Sequence, residues 1–309
     1  MNGVVRYRLQ HVTRYAYAAE VMISQHLLHL VPRPAPYQRC LDHSIEVTPA
    51  GHRVDGTDAF GNPIVRLEID VPHTSLTVTS RMEVDVHARP RLPASESLPW
   101  ERVADGFRYR AVPPGRDLLD AGRFRYESPH VHIKREYAEF AADCFAPGRP
   151  LLAAAEALMH KIHAEFRYEP GTTTIGTSVA EVLQERRGVC QDFAHVMIAC
   201  LRSRGLAARY VSGYVRGVSS SDEGDSAPVG AGASHAWVSV WVPPFGWVDL
   251  DPTNDKPAGL DHVAIAWGRD FADVSPLRGT ILGGGHHTLE VEVTVERIAI
   301  ADARPGADR

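Results

Sequence analysis

A single cysteine, set between a glycine turn and the start of a helical pattern, constrains this chain more than any other feature. The stretch is Arg187-Gly188-Val189-Cys190-Gln191-Asp192-Phe193-Ala194-His195. From there Phe193, Val196, Met197, Cys200 and Leu201 recur at the 3.6-residue period of a helix, which runs to about Arg204 and is closed by Gly205. Cys190 therefore falls at a helix N-terminus, where unpaired backbone N–H groups favour an anion. Downstream, Ser234-His235-Ala236-Trp237 and Trp247-Val248-Asp249-Leu250-Asp251-Pro252-Thr253 read as two strands flanking Pro243-Pro244-Phe245-Gly246. Cysteine, histidine and aspartate in that order are the components of an activated thiolate.

Strand geometry says which aspartate serves the histidine. Along the first strand His235, Trp237, Ser239 and Trp241 share a face; along the second Trp247, Asp249 and Asp251 do. If Trp241 pairs with Trp247, Asp251 lies opposite Trp237 and diagonal to His235, within reach of a carboxylate–imidazole hydrogen bond. Asp249 then lies opposite Ser239, further from the ring, so Asp251 is the better orienter. A carboxylate on one ring nitrogen fixes the tautomer and leaves the other nitrogen to the thiol. Cys200 lies on the apolar face of the cysteine helix and reads as core. His195, just over one helical turn beyond Cys190, is a rival base. The stripe Trp237, Trp241, Trp247 reads equally well as core or as the wall of a substrate groove.

The rest of the chain bounds the setting. Its 309 residues suffice for two ordinary domains, and the net charge of -5 argues against a nucleic-acid binder. None of the four cysteines (Cys40, Cys144, Cys190, Cys200) forms a CxxC pair, which argues against a zinc ribbon or a thioredoxin-type site, and four in a chain of this length are too sparse for a disulfide framework. The pairs His26/His29, His130/His132, His160/His163 and His286/His287 lack a third ligand at recognisable spacing, so no metal is expected. Gly283-Gly284-Gly285 precedes a strand rather than a helix and is no phosphate loop. No run of about 18 apolar residues spans a membrane, and no apolar signal core opens the sequence; both lead to the expectation of a cytoplasmic protein with free thiols.

Four segments follow from the patterning: a β-rich N-terminal domain over residues 1–92, a Pro-rich linker with a connecting helix over 93–149, a core over 150–300 and a frayed tail over 301–309. Val65-Arg66-Leu67-Glu68-Ile69-Asp70-Val71 alternates as a half-buried strand, and Leu289-Glu290-Val291-Glu292-Val293-Thr294-Val295 reads as the final strand. Residues 88–120 read as an extended crossing between domains, and Ser178 as the cap of a helix. Residues 217–233 read as a mobile loop whose acidic residues (Asp222, Glu223, Asp225) are too few for a calcium site.

Gly188–His195, Ala208-Arg209-Tyr210-Val211-Ser212-Gly213-Tyr214, Ser234–Val238 and Gly246–Thr253, in this order over about 65 residues, resemble the transglutaminase-like superfamily of cysteine enzymes. His11-Val12-Thr13-Arg14-Tyr15, Leu30-Val31-Pro32-Arg33 and Asp58-Ala59-Phe60-Gly61-Asn62 resemble, more diffusely, the β-rich domain that precedes this core in bacterial members. The resemblance implies an α+β chain: a β-sandwich-like N-terminal domain, then a papain-like core with the nucleophile helix packed on an antiparallel sheet. It carries over Cys190 as nucleophile, His235 as general base and acid and Asp251 as orienter, without a cofactor. The backbone N–H of Cys190 is one oxyanion donor; Gln191, Tyr168 and Trp237 are candidates to complete the oxyanion site or line the substrate. The expected partner is a peptide or protein carrying an amide acyl donor. Hydrolysis through a thioester is the leading expectation, acyl transfer to an amine the alternative, and a non-catalytic scaffold the reading from another class.

Overall fold

The computed structural model describes residues 3–108, 115–174, 176–216 and 234–300; the loop 217–233 and the tail 301–309 lie outside them. Five strands come first: β1 (Val4–Leu28), β2 (Gln38–Thr48), β3 (His52–Thr57), β4 (Pro63–Ile69) and β5 (His73–His87). Helices α1 (Trp100–Gly106), α2 (Arg116–Gly122), α3 (Arg135–Phe140) and α4 (Leu151–Glu165) follow. Next come β6 (Arg167–Tyr168), α5 (Val179–Glu185), β7 (Arg187–Gly188) and α6 (Cys190–Ser203). The chain continues with β8 (Ala208–Val215), β9 (His235–Val242), β10 (Gly246–Asp251), β11 (Lys256–Pro257), β12 (His262–Gly268), α7 (Phe271–Val274), β13 (Leu277–Gly283) and β14 (His287–Ile298).

The 25-residue β1 organises a curled antiparallel sheet. Its first half pairs with β5 and β14, and its second half with β4 and β13, with a bulge near Val21 between the two halves. The curl encloses an apolar interior of Leu28, Leu30, Val65, Leu67, Ile69, Leu76 and Val78. Strands β13 and β14 fall within the stretch 150–300 yet pair with β1, so the polypeptide returns to its first sheet. The crossing over 88–120 is not wholly extended, since it contains α1 and the start of α2.

The second sheet has the order β11-β10-β9-β8-β12 and is antiparallel throughout. Helix α6 packs on one face of it, with Ala194, Ile198 and Leu201 in one core with Val238, Val240 and Leu250. This is the helix-on-antiparallel-sheet arrangement anticipated from the sequence. Ser178 caps α5 in a reciprocal capping box with Glu181.

Two side-chain amides join the sheets. Edge strand β12 would leave backbone groups unpaired, at a cost comparable to lost hydrogen bonds. Gln38 donates to the Ala264 carbonyl (2.6 Å) and accepts from its N–H (2.9 Å). Asn62 does the same to Trp267, at 2.8 and 2.9 Å. The N-terminal strands thus hold the sheet that carries His235 and Asp251.

Candidate active site

Cys190 opens α6 and is 9% exposed. Asp192, three residues beyond Val189, supplies the N-terminal cap: its Oδ2 accepts from the Val189 N–H (2.8 Å) and from the Thr173 hydroxyl (2.7 Å). Gly188 makes that cap possible. A Cβ there would stand 2.6 Å from Asp192 Oδ2 and 2.9 Å from its Cβ. Gly188→Ala should therefore push the cap aside and displace the sulfur. The expected result is a loss of about 1–2 kcal/mol of stability, as for other lost caps, with Cys190 alkylation slowed about tenfold or more. Unaltered alkylation would show that the cap does not position the thiol.

His235 begins β9 and Asp251 ends β10. Trp247 pairs with Trp241 and Asp249 with Ser239, which is the register assumed from the sequence. His235 Nε2 donates to Asp251 Oδ2 at 2.7 Å, and both side chains are fully buried. Burial opposes a charged ring, but the Asp251 carboxylate, followed by the Cys190 sulfur, outweighs it and raises the His235 pKa above the ordinary imidazole range. Burial likewise opposes ionisation of Asp251, and His235 outweighs it, holding that carboxyl below its usual range. Nδ1 of His235 has no other hydrogen-bond partner among the described residues, and the Cys190 side chain acts on the ring both through its charge and as a hydrogen-bond partner.

Asp251 has more partners than the sequence suggested. Its Oδ1 accepts from the N–H groups of Thr253 (2.9 Å) and Asn254 (3.2 Å). Its Oδ2 also accepts from Asn254 Nδ2 (2.8 Å) and His262 Nε2 (3.1 Å). His262 and Asn254 were missed because nothing in their local pattern marks them. Asn254 lies in the turn after β10, and His262 arrives on β12, whose place in the sheet is a long-range fact.

The remaining candidates divide. Tyr168 lies on β6, paired with Gly188, and its ring meets Phe193 edge-on. Burial, then the nearby Cys190 and Asp192, raise its hydroxyl to about 12, so it stays protonated and able to donate. Gln191 is half-buried on the first turn of α6. Trp237 does not face solvent: it is fully buried, its Nε1 donates to Asp249 Oδ2 (3.2 Å), and its ring backs both His235 and His262. Gly213 permits this, since a Cβ there would stand 2.6 Å from the indole. Asp249 also accepts from Arg89 (2.8 Å) and Tyr37 (3.2 Å), so it serves the junction between the sheets rather than His235.

His195 is turned to other work. It accepts from the Phe271 N–H (3.2 Å) and stacks on His130, while burial pushes its pKa well down. Cys200 is fully buried as expected. Among the described residues, one group has metal-ligand geometry, His235, Asp251 and His262, and those atoms already hydrogen-bond one another.

The helix that opens on Cys190 thus packs on the antiparallel sheet that carries the buried His235–Asp251 pair. A family model described as the transglutaminase-like superfamily matches residues 138–252, and one described as the bacterial transglutaminase-like N-terminal region matches residues 7–85. A Mycobacterium tuberculosis protein without an assigned activity is 39% identical over 306 residues, covering 96% of this chain and 93% of the relative. The chain belongs to the transglutaminase-like superfamily. It is also similar to a Pseudomonas aeruginosa protein-glutamine gamma-glutamyltransferase, 28% identical over 222 residues, covering 68% of this chain and 32% of that protein. A Cytophaga hutchinsonii protein described as a candidate cysteine protease has the same fold, with a TM-score of 0.72 at 20% identity, covering 99% of this chain and 95% of that one. Among the described residues no helix is long and apolar enough to cross a membrane.

Proposed function

We propose that the protein hydrolyses amide bonds in a peptide or protein through a thioester on Cys190. The observation that carries this reading is the buried 2.7 Å contact from His235 to Asp251, with the Cys190 sulfur acting on the same ring. In the proposed cycle the Cys190 thiolate attacks the carbonyl carbon, and the resulting oxyanion is held by the Cys190 backbone N–H. Tyr168 and Gln191 are the proposed second donors to it. As the C–N bond breaks, His235 gives its proton to the leaving amine. Water then attacks the thioester, His235 accepts its proton, and the carboxylic acid leaves as the thiol is restored. Asp251 holds the ring in the tautomer both transfers need.

Acyl transfer to an amine is the second reading, favoured by the likeness to the glutamyltransferase. Both share the thioester and differ in what resolves it. Incubation with a glutamine peptide and a labelled primary amine separates them: free acid without label in the peptide is the expected result, and covalent incorporation of the amine would favour transfer. A scaffold without catalysis would give neither. The proposed location is cytoplasmic, which fractionation of the native cells tests.

A further inference from the structure

The mechanism proposed above leaves one buried side chain of the cluster without a role. His262 is fully buried, and each of its ring nitrogens faces a carboxylate: Nε2 lies 3.1 Å from Asp251 Oδ2 and Nδ1 lies 2.7 Å from Asp261 Oδ1. An ionised carboxylate only accepts hydrogen bonds, so two such contacts require a proton on each nitrogen. The Gly259 N–H also approaches Nδ1, at 3.3 Å, and would need that nitrogen bare; the shorter contact to Asp261 decides against it. Asp261 is in turn bonded by Lys256, which reaches the surface.

We propose that His262 is a positioning residue for the Cys190–His235–Asp251 group: doubly protonated between Asp251 and Asp261, it shares Asp251 Oδ2 with His235 and limits how tightly that carboxylate holds the His235 proton. The inference rests on the cysteine-hydrolase reading for its consequence, though not for its geometry. From the sulfur outward the side chains run Cys190, His235, Asp251, His262, Asp261, Lys256, each against the next. The side chains facing His235 are Asp251, Asn254, Cys190 and the indole of Trp237. Those facing His262 are Asp251, Asp261 and the edge-on indole of Trp237, with Lys256, Arg216 and Tyr7 grouped around Asp261. The rings of His235 and His262 are 6.4 Å apart, so a charge on one bears directly on the other. Without His262, Asp251 would face a single cation, and a His235 that clings to its proton is a poor donor to a leaving amine.

The test is a titration of the full-length protein with 15N-labelled histidine, the His235 signals being identified by their loss in His235→Gln. Wild type should show both His262 nitrogens protonated at neutral pH. Two variants, His262→Gln and Asp261→Asn, are titrated in a Cys190→Ala background, where loss of the sulfur charge brings the His235 midpoint down into an accessible range. His262→Gln keeps a donor to Asp251 without the charge and should move that midpoint up by about one pH unit. Asp261→Asn, at the rim, should move it the same way by less and decides the matter if the first variant does not fold. A bare His262 nitrogen at neutral pH, or an unmoved or lowered His235 midpoint in a folded variant, overturns the proposal. The readout needs no substrate. A shifted midpoint in a protein whose turnover survives Cys190→Ala would therefore sink the hydrolase reading and leave the coupling standing.

Discussion

Cys190→Ala should lower turnover by about ten-thousand-fold or more, the loss typical when a covalent nucleophile is removed, while leaving the cooperative unfolding transition in place. The reason lies in the division of labour among the thiols. Burial raises the Cys40, Cys144 and Cys200 thiols above the ordinary range, Cys144 to about 11. Those three are therefore poor nucleophiles near neutrality. Cys190 alone among the four stands at a capped helix N-terminus beside a histidine held toward its charged form. Iodoacetamide at pH 7 should accordingly mark Cys190 first, as peptide mapping would show. Cys200→Ala is the control: it removes a buried sulfur, should cost on the order of 1 kcal/mol, and should keep activity. Turnover that survives Cys190→Ala, or labelling spread evenly over the cysteines, would remove the basis for the proposed chemistry.

How far the sequence carried the reading depended on the range of the interaction. Cys190 was legible because a helix N-terminus is a local event, written in Gly188 and the spacing from Phe193 to Leu201. The pairing of β9 with β10 was legible because a short connection leaves few registers, and Trp241 opposite Trp247 then determined that Asp251, not Asp249, reaches His235. The alternation over 289–295 marked a strand but not its partner, since nothing within β14 says that it pairs with β1 nearly three hundred residues away. His262 and Arg89 failed to register for the same reason: one serves Asp251 and the other Asp249 from elements remote in sequence. Trp237 shows a different limit. Its face was correctly assigned, but a residue on the site face of a strand can lie under the histidine rather than beside the substrate, and only the packing of Gly213 against the indole distinguishes these.

Asp251→Asn should reduce turnover by about a thousand- to ten-thousand-fold, by the same logic that applies to other orienting aspartates. The amide removes the charge that keeps His235 protonated, and its NH2 can impose the tautomer that points a proton, rather than a lone pair, toward the sulfur. The pH dependence gives the sign. Asp251 raises the His235 pKa, so in wild type the charged ring persists as pH climbs past the unperturbed value of about 6.5. In the variant, burial acts unopposed by that carboxylate, and the alkaline limb of the pH–rate profile should move to lower pH. Stability should follow the same linkage. The raised His235 contributes stability that is complete below about pH 6.5 and is lost as pH rises through its folded value; the depressed Asp251 contributes stability that is complete above about pH 4 and is lost as pH falls through its folded value. The deficit of the variant in thermal unfolding should therefore be greatest between about pH 4 and 6.5 and should narrow on either side. A deficit that instead grows steadily above neutrality, or an alkaline limb that stays in place, would mean that His235 draws its proton affinity from some group other than Asp251.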